Sequence, residues 1–151
     1  MSSDMRIAYF DMAQLALAAY SDFSNSRRVD GSYDESEVKR RLSEKNKDKD
    51  FTLRGAEDFT RVFEVVDQFT DPNLLLNGFS ATVFRNKQTS QLYFITRGTE
   101  NSGDFLADGA LAIGITARSQ IISMGNYVLR LQAGAGNVAR QIKASTILPS
   151  D

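Results

Sequence analysis

The 151 residues carry 18 Lys and Arg against 19 Asp and Glu, a net charge of −1, with 42% hydrophobic and 25% charged residues. That is one domain's worth of ordinary globular chain, with no general attraction to nucleic acid or anionic lipid and no apolar run of the ~20 residues a transmembrane helix needs. The absence of Cys and of His removes disulfides, thiolate metal sites, a Cys nucleophile and an imidazole base from the chain's own chemistry, and no metal or cofactor is expected.

In chain order, Ala8, Met12, Leu15, Ala16 and Ala19 recur at helical spacing behind a capping Asp4, which predicts a helix to near Tyr20 with one apolar stripe on the core. Asp11 and Gln14 lie inside this stretch and no basic leader precedes it, so no signal peptide is visible. The chain reads as soluble, either cytoplasmic or exported without a cleaved signal. Ser21 to Tyr33 is turn-rich. Asp30, Ser32 and Asp34 suggest a calcium loop, but Glu35 stands where the loop needs Gly and Arg41 where it needs the closing Glu.

Glu35 with Lys39 and Glu37 with Arg41 pair at i,i+4, predicting a short solvated helix over Glu35–Glu44 capped by Asp34. Lys45 to Asp50 alternates charge without an apolar residue and reads as a surface loop. Val62, Phe63, Val65, Val66 and Phe69 predict a first strand, closed by the breaker Thr70-Asp71-Pro72-Asn73. Phe79 to Arg85 and Leu92 to Thr96 predict two further strands, joined as an antiparallel hairpin by the polar Asn86 to Ser90. The last is nearly all apolar, as expected of an inner strand covered on both faces.

Ile121, Met124, Val128, Leu131, Ala135, Val138 and Ile142 then alternate spacings of three and four, predicting a long core-facing helix that Gly134 and Gly136 divide or bend. No internal repeat is present.

The chemistry-bearing stretch is Ile95-Thr96-Arg97-Gly98-Thr99-Glu100, followed by Asp104-Phe105-Leu106-Ala107-Asp108. Gly98 lets the backbone turn sharply at a strand end, so that the next amide points outward, and the Thr99 hydroxyl adds a second donor for an oxyanion. Arg97 reads as structural, pairing with Asp104, Asp108 or another carboxylate to hold the turn. Asp104 and Asp108, at i,i+4, either cap one helix or orient a mobile segment. Gly109 to Gly114 is either a flap or a loop packed by Leu111, Ile113 and Ile115.

Phe79 to Phe84, Tyr93 to Glu100 and Asp104 to Asp108 together resemble the amino-terminal segment of class-3 lipases, serine hydrolases with a Ser-His-Asp triad. In that family a strand ends in Phe-Arg-Gly-Ser or Thr, and an Asn or Asp, an aromatic residue and an Asp come after it; Arg97, Gly98, Thr99, Asp104, Phe105 and Asp108 fit this order. The resemblance covers roughly the forty residues from Phe79 to Arg118. It implies an α/β class: the amino-terminal part of an α/β-hydrolase fold, with helices packed on a partial mixed sheet.

The implied layout is a single partial domain over 1–151, with a helical and loop lead-in over 1–50, three strands within 60–99, a lid-like segment over 100–119 and the long helix over 120–144. Gly98 and Thr99 would form the oxyanion hole, Arg97, Asp104 and Asp108 would support it, and Phe105 would be an apolar lid residue. The family's Gly-x-Ser-x-Gly elbow is missing: Gly78-Phe79-Ser80-Ala81-Thr82 lacks the second Gly and lies on a strand, so Ser80 is not assigned as nucleophile.

The implied function is the amino-terminal half of a lipase or carboxylic ester hydrolase acting on a lipid or other ester. Its triad would be supplied from outside these residues, by the remainder of the domain or by a self-association partner. Two other readings are a non-catalytic α/β-hydrolase-like interaction module and an unrelated α+β domain whose Thr99 is buried in a turn.

Overall fold

The computed structural model describes residues 3–44, 51–70, 79–97, 109–134 and 137–142, with side chains from 8 and from 120 onward in the first and last helices. Its elements are α1 (Ser3–Ala18), a single 3₁₀ turn (Ser24–Ser26), α2 (Glu35–Ser43), α3 (Leu53–Val62), β1 (Phe63–Thr70), β2 (Ser80–Asn86), β3 (Leu92–Arg97) and α4 (Gly109–Ala133). The three strands form one antiparallel sheet in the order β1-β2-β3, so the class is mixed α/β. Two compact units divide the chain: Met1–Gln68 with Ala81–Arg97, and Phe69–Ser80 with Gly98–Asp151.

The first unit is organised by aromatic residues. Phe59 of α3 is fully buried, with its ring centroid 5.6 Å from Phe84 of β2, 5.2 Å from Phe63 of β1 and 5.6 Å from Phe51. Phe84 in turn meets Phe23, which lies just after α1, edge to face at 6.3 Å. These tilted and edge-to-face pairs let the rings fill the core without stacking negative faces together. Leu15 and Ala18 of α1 and Val38 and Leu42 of α2 complete the cluster.

Local sequence explains why α2 forms where it does. The Asp34 carboxylate accepts from the backbone N–H of Ser36 and Glu37, and Glu35, Lys39, Glu37 and Arg41 make the ion pairs their spacing predicts. Helix α3 has no counterpart among the elements predicted from sequence. Thr52 caps it by accepting from the Gly55 N–H at 3.0 Å, and Ala56, Phe59, Thr60 and Phe63 fall at helical spacing on the buried side. It runs into β1 with no residue between them, Phe63 serving both as the helix C-cap and as the first strand residue.

Several expectations are corrected. The sheet is antiparallel throughout the described strands, not mixed. The nearly apolar β3 is an outer strand of the three, with Leu92 59% and Phe94 37% exposed, whereas the central β2 is buried from Ser80 to Phe84. Of the apolar stripe expected along α1 only Leu15 and Ala19 are buried, because Ala8, Met12 and Ala16 are exposed.

Helix α4 begins at Gly109, within the segment expected to be lid-like, and ends at Ala133. Gly134 comes next at φ +76°, a left-handed conformation that stops a helix and that only glycine adopts freely. Val138 and Ile142 are therefore off the helix, and Ile121, Met124 and Leu131 are exposed rather than core-facing. The Lys45–Asp50 loop lies outside the described residues.

A polar strap closes the first unit. The Gln68 carboxamide oxygen accepts from the Phe23 N–H at 2.7 Å, while its nitrogen donates to the Ser21 carbonyl at 2.8 Å and to the Thr82 hydroxyl at 3.0 Å. The Gln68 backbone N–H donates to the Tyr33 hydroxyl at 3.1 Å. One side chain thus ties the segment after α1 to β1 and β2.

Candidate functional site

Of the residues singled out by sequence, Arg97 is described; Gly98, Thr99, Asp104, Phe105 and Asp108 lie outside the described residues. Arg97 ends β3 on the same side as Tyr93 and Ile95, which pack against the core. Its guanidinium carbon stands 5.9 Å from the Tyr20 ring centroid, within reach of a cation–π attraction. Burial pushes the Asp22 carboxyl up, but the Ser24 backbone N–H and hydroxyl, with the charges of Arg41 and Arg97, outweigh it and hold Asp22 below the usual carboxylate range. The Arg97 charge is the smallest of these contributions, and the geometric tie of Arg97 to the segment after α1 is its place over Tyr20. The strand end from which Gly98 departs is tied back to the helical layer.

Ser80 is 1% exposed on β2, its hydroxyl 3.1 Å from that of Thr70. A buried strand hydroxyl already sharing a hydrogen bond is not placed to attack a substrate, which agrees with the missing second glycine after it.

An open surface cleft of about 390 Å³, lined by Glu35, Lys39, Glu57, Thr60, Arg61 and Lys87, has no forewarning in the sequence. Lys87 bridges it: its ammonium donates to the Thr60 carbonyl at 2.6 Å and to Glu35 at 2.8 Å, and Lys39 takes the other Glu35 oxygen at 3.0 Å. The partners of Lys87 are 52 and 27 residues away along the chain, a separation that leaves no local signature. Lys87 first and then Lys39 lower the Glu35 pKa, so the cleft holds an ionised, already paired carboxylate rather than a proton donor. It cross-links α2, α3 and the β2–β3 turn.

The Asp34 cap beside it is also held well below the ordinary carboxylate range, by the Ser36 hydroxyl, then Arg28 and then the Glu37 N–H. Both shifts are downward. Their contribution is complete above the unfolded carboxylate pKa of about 4 and is lost as pH falls through the lower folded values. Protection of the amides across Glu35–Ser43, taken relative to their intrinsic exchange rates, is expected to fall below about pH 4, before protection of core amides such as Phe59. Simultaneous loss at both would contradict a local cap.

Among the described residues no three carboxylates gather as a metal site, and no helix is long and apolar enough to cross a membrane. Comparison of the chain with family models, curated proteins and solved structures finds no match.

Proposed function

We propose that the chain supplies the oxyanion-hole portion of a serine carboxylic ester hydrolase, acting on lipid or related esters. In this reading it is the amino-terminal part of an α/β-hydrolase fold, and Thr99, after the Gly98 turn, donates to the developing oxyanion. The observation that carries the reading is the anchored end of β3. Arg97 lies over Tyr20, so the strand end that leads into Gly98 and Thr99 is held against the segment after α1, as a preorganised donor requires. Arg97 is then a positioning residue. Because the chain has no His, a Ser-His-Asp triad needs residues from another source.

The test is fluorophosphonate labelling and p-nitrophenyl ester turnover of the 151-residue chain and of the product of the complete reading frame. The chain alone is expected to remain unlabelled. In the complete product, Thr99→Val is expected to lower kcat by about 100-fold or more while labelling persists. Labelling of the chain alone would place the nucleophile within it and overturn the division proposed. A complete product that neither labels nor turns over ester would favour the interaction module.

A further inference from the structure

We propose that Gly125 and Asn126 of α4 form a peptide-reading clasp, and that residues 137–142 of the same chain occupy it as a return segment that opens and closes while the helix stays folded. This goes beyond ester hydrolysis, since it concerns recognition of a backbone and uses none of the residues around Gly98.

The path of the chain carries the first step. After α4, Gly134 stands at φ +76°, the Asn137 side chain donates to the Ala133 carbonyl at 2.7 Å, and the Asn137 N–H donates to the Gly134 carbonyl at 3.3 Å, which together fix a reversal. The chain then runs back along the helix it has just left. Gln141 accepts from Arg130 at 3.2 Å, and Ile142 meets Asn126, one helical turn nearer the start of α4. All of these residues belong to the second unit.

Asn126 reads backbone. Its carboxamide oxygen accepts from the Ile142 N–H at 2.6 Å, and its nitrogen donates to the Ile142 carbonyl at 3.1 Å. A neighbouring antiparallel strand offers a residue this same pair of bonds, so one helix side chain stands in for a strand. Selectivity comes from the residue before it. Glycine inside a helix weakens the helix, yet at position 125 the absent side chain leaves the space that Ile142 fills: a Cβ there would stand 3.0 Å from the Ile142 Cδ1. Main-chain bonds that hold a segment, with a notch that selects one branched aliphatic side chain, are the means by which extended peptides are recognised.

The attachment is light. Within the return segment Val138 is 99% exposed, Arg140 and Gln141 are also exposed, and only Ala139 and Ile142 are half-buried. Tyr127, next to Asn126, is by contrast 2% exposed and stacks on Phe69 at 5.1 Å, with Arg130 4.5 Å over the same ring. Aromatic packing anchors the helix, whereas side-chain hydrogen bonds and one aliphatic contact hold the return segment, so the segment opens at a lower free energy than the helix. Gly134 supplies the pivot. The tether keeps the segment at roughly millimolar effective concentration over its own clasp. A free chain competes when it brings the same chemistry, an extended backbone with an isoleucine-like side chain.

The experiment follows amide exchange by nuclear magnetic resonance, with trypsin cleavage after Arg140 as a second readout. The Ile142 amide is expected to be protected by roughly tenfold or more over its intrinsic rate, and far less than the Tyr127 amide. Asn126→Ala and Gly125→Val are each expected to abolish that protection and to speed the cleavage several-fold, with helical circular dichroism and Tyr127 protection kept. Asn126→Asp accepts from the Ile142 N–H but cannot donate to its carbonyl, and should retain part of the protection. A free peptide of residues 137–142, at roughly millimolar concentration, should raise Ile142 exchange several-fold in the parent and leave Asn126→Ala unchanged. An unprotected Ile142 amide in the parent, protection that survives Asn126→Ala, protection equal to that of Tyr127, or indifference to the peptide would overturn the proposal. So would Ile142 protection that rises with protein concentration, which would assign the clasp to the return segment of a second copy. Because no turnover is measured, the result is independent of whether the chain contributes to ester hydrolysis.

Discussion

Phe59→Ala is expected to destabilise the first unit by about 3–5 kcal/mol, the range for truncating a fully buried aromatic ring. The ring touches Phe51, Phe63 and Phe84 and so joins α3 to both β1 and β2. Its removal leaves a void whose walls belong to different elements, each fixed by its own backbone bonds, so collapse around the missing atoms is limited. Urea unfolding monitored by far-ultraviolet circular dichroism should show a lower midpoint with little change in slope. Phe59→Leu should cost distinctly less, and Phe10→Ala, at a position 62% exposed, should fall within about 0.5 kcal/mol of the parent. Equal effects at positions 10 and 59 would contradict this account of the core.

Gln68→Ala is expected to cost roughly 2–4 kcal/mol, a large effect for a side chain that is not fully buried. The loss is not that of three hydrogen bonds in isolation. The Phe23 N–H and the Ser21 carbonyl lose their Gln68 partner, and an inward-facing backbone group left unpaired costs about 1–3 kcal/mol. Gln68→Glu separates the two halves of the effect. Its carboxylate can still accept from Phe23 but cannot donate to Ser21 or Thr82, so its cost should be intermediate at neutral pH. Amide exchange at Phe23 should rise sharply in the Ala variant and less in the Glu variant. An Ala variant with parental stability and unchanged exchange at Phe23 would show that the strap is dispensable.

The legible parts of the fold were those specified by nearby residues. Asp34 and the Glu35–Lys39 and Glu37–Arg41 pairs announced α2 because cap and ion pairs act within two helical turns. The polar stretch from Asn86 to Ser90 announced the hairpin because turn chemistry is equally local. Helix α3 was obscured where its apolar positions run without a break into those of β1, so one apolar patch serves two periodicities.

Strand position within the sheet was misread for a different reason. The apolarity of β3 reports its composition, whereas its place at the outside depends on pairing with distant residues. The less apolar β2 can occupy the centre because its hydroxyls find partners, Thr82 with Gln68 and Ser80 with Thr70. For α4 the spacing revealed the stripe but not which way it faces, since periodicity carries no information about what lies opposite. At the candidate site, a structural role for Arg97 was legible from its neighbours in sequence; its relation to Tyr20 and Asp22 was not, because those residues are far away along the chain.

The seamless passage from α3 into β1 leaves no elastic element between a 3.6-residue and a two-residue repeat. A single residue inserted after Val62 would have to be absorbed by one of them. In the strand it would exchange the inward set led by Phe63 and Val65 with the outward set led by Glu64; in the helix it would rotate Phe59 out of its pocket by about 100° relative to β1. Length variation in this protein is therefore tolerated far less at this junction than at a surface turn, and natural relatives of the chain should align across Phe59 to Val65 without gaps.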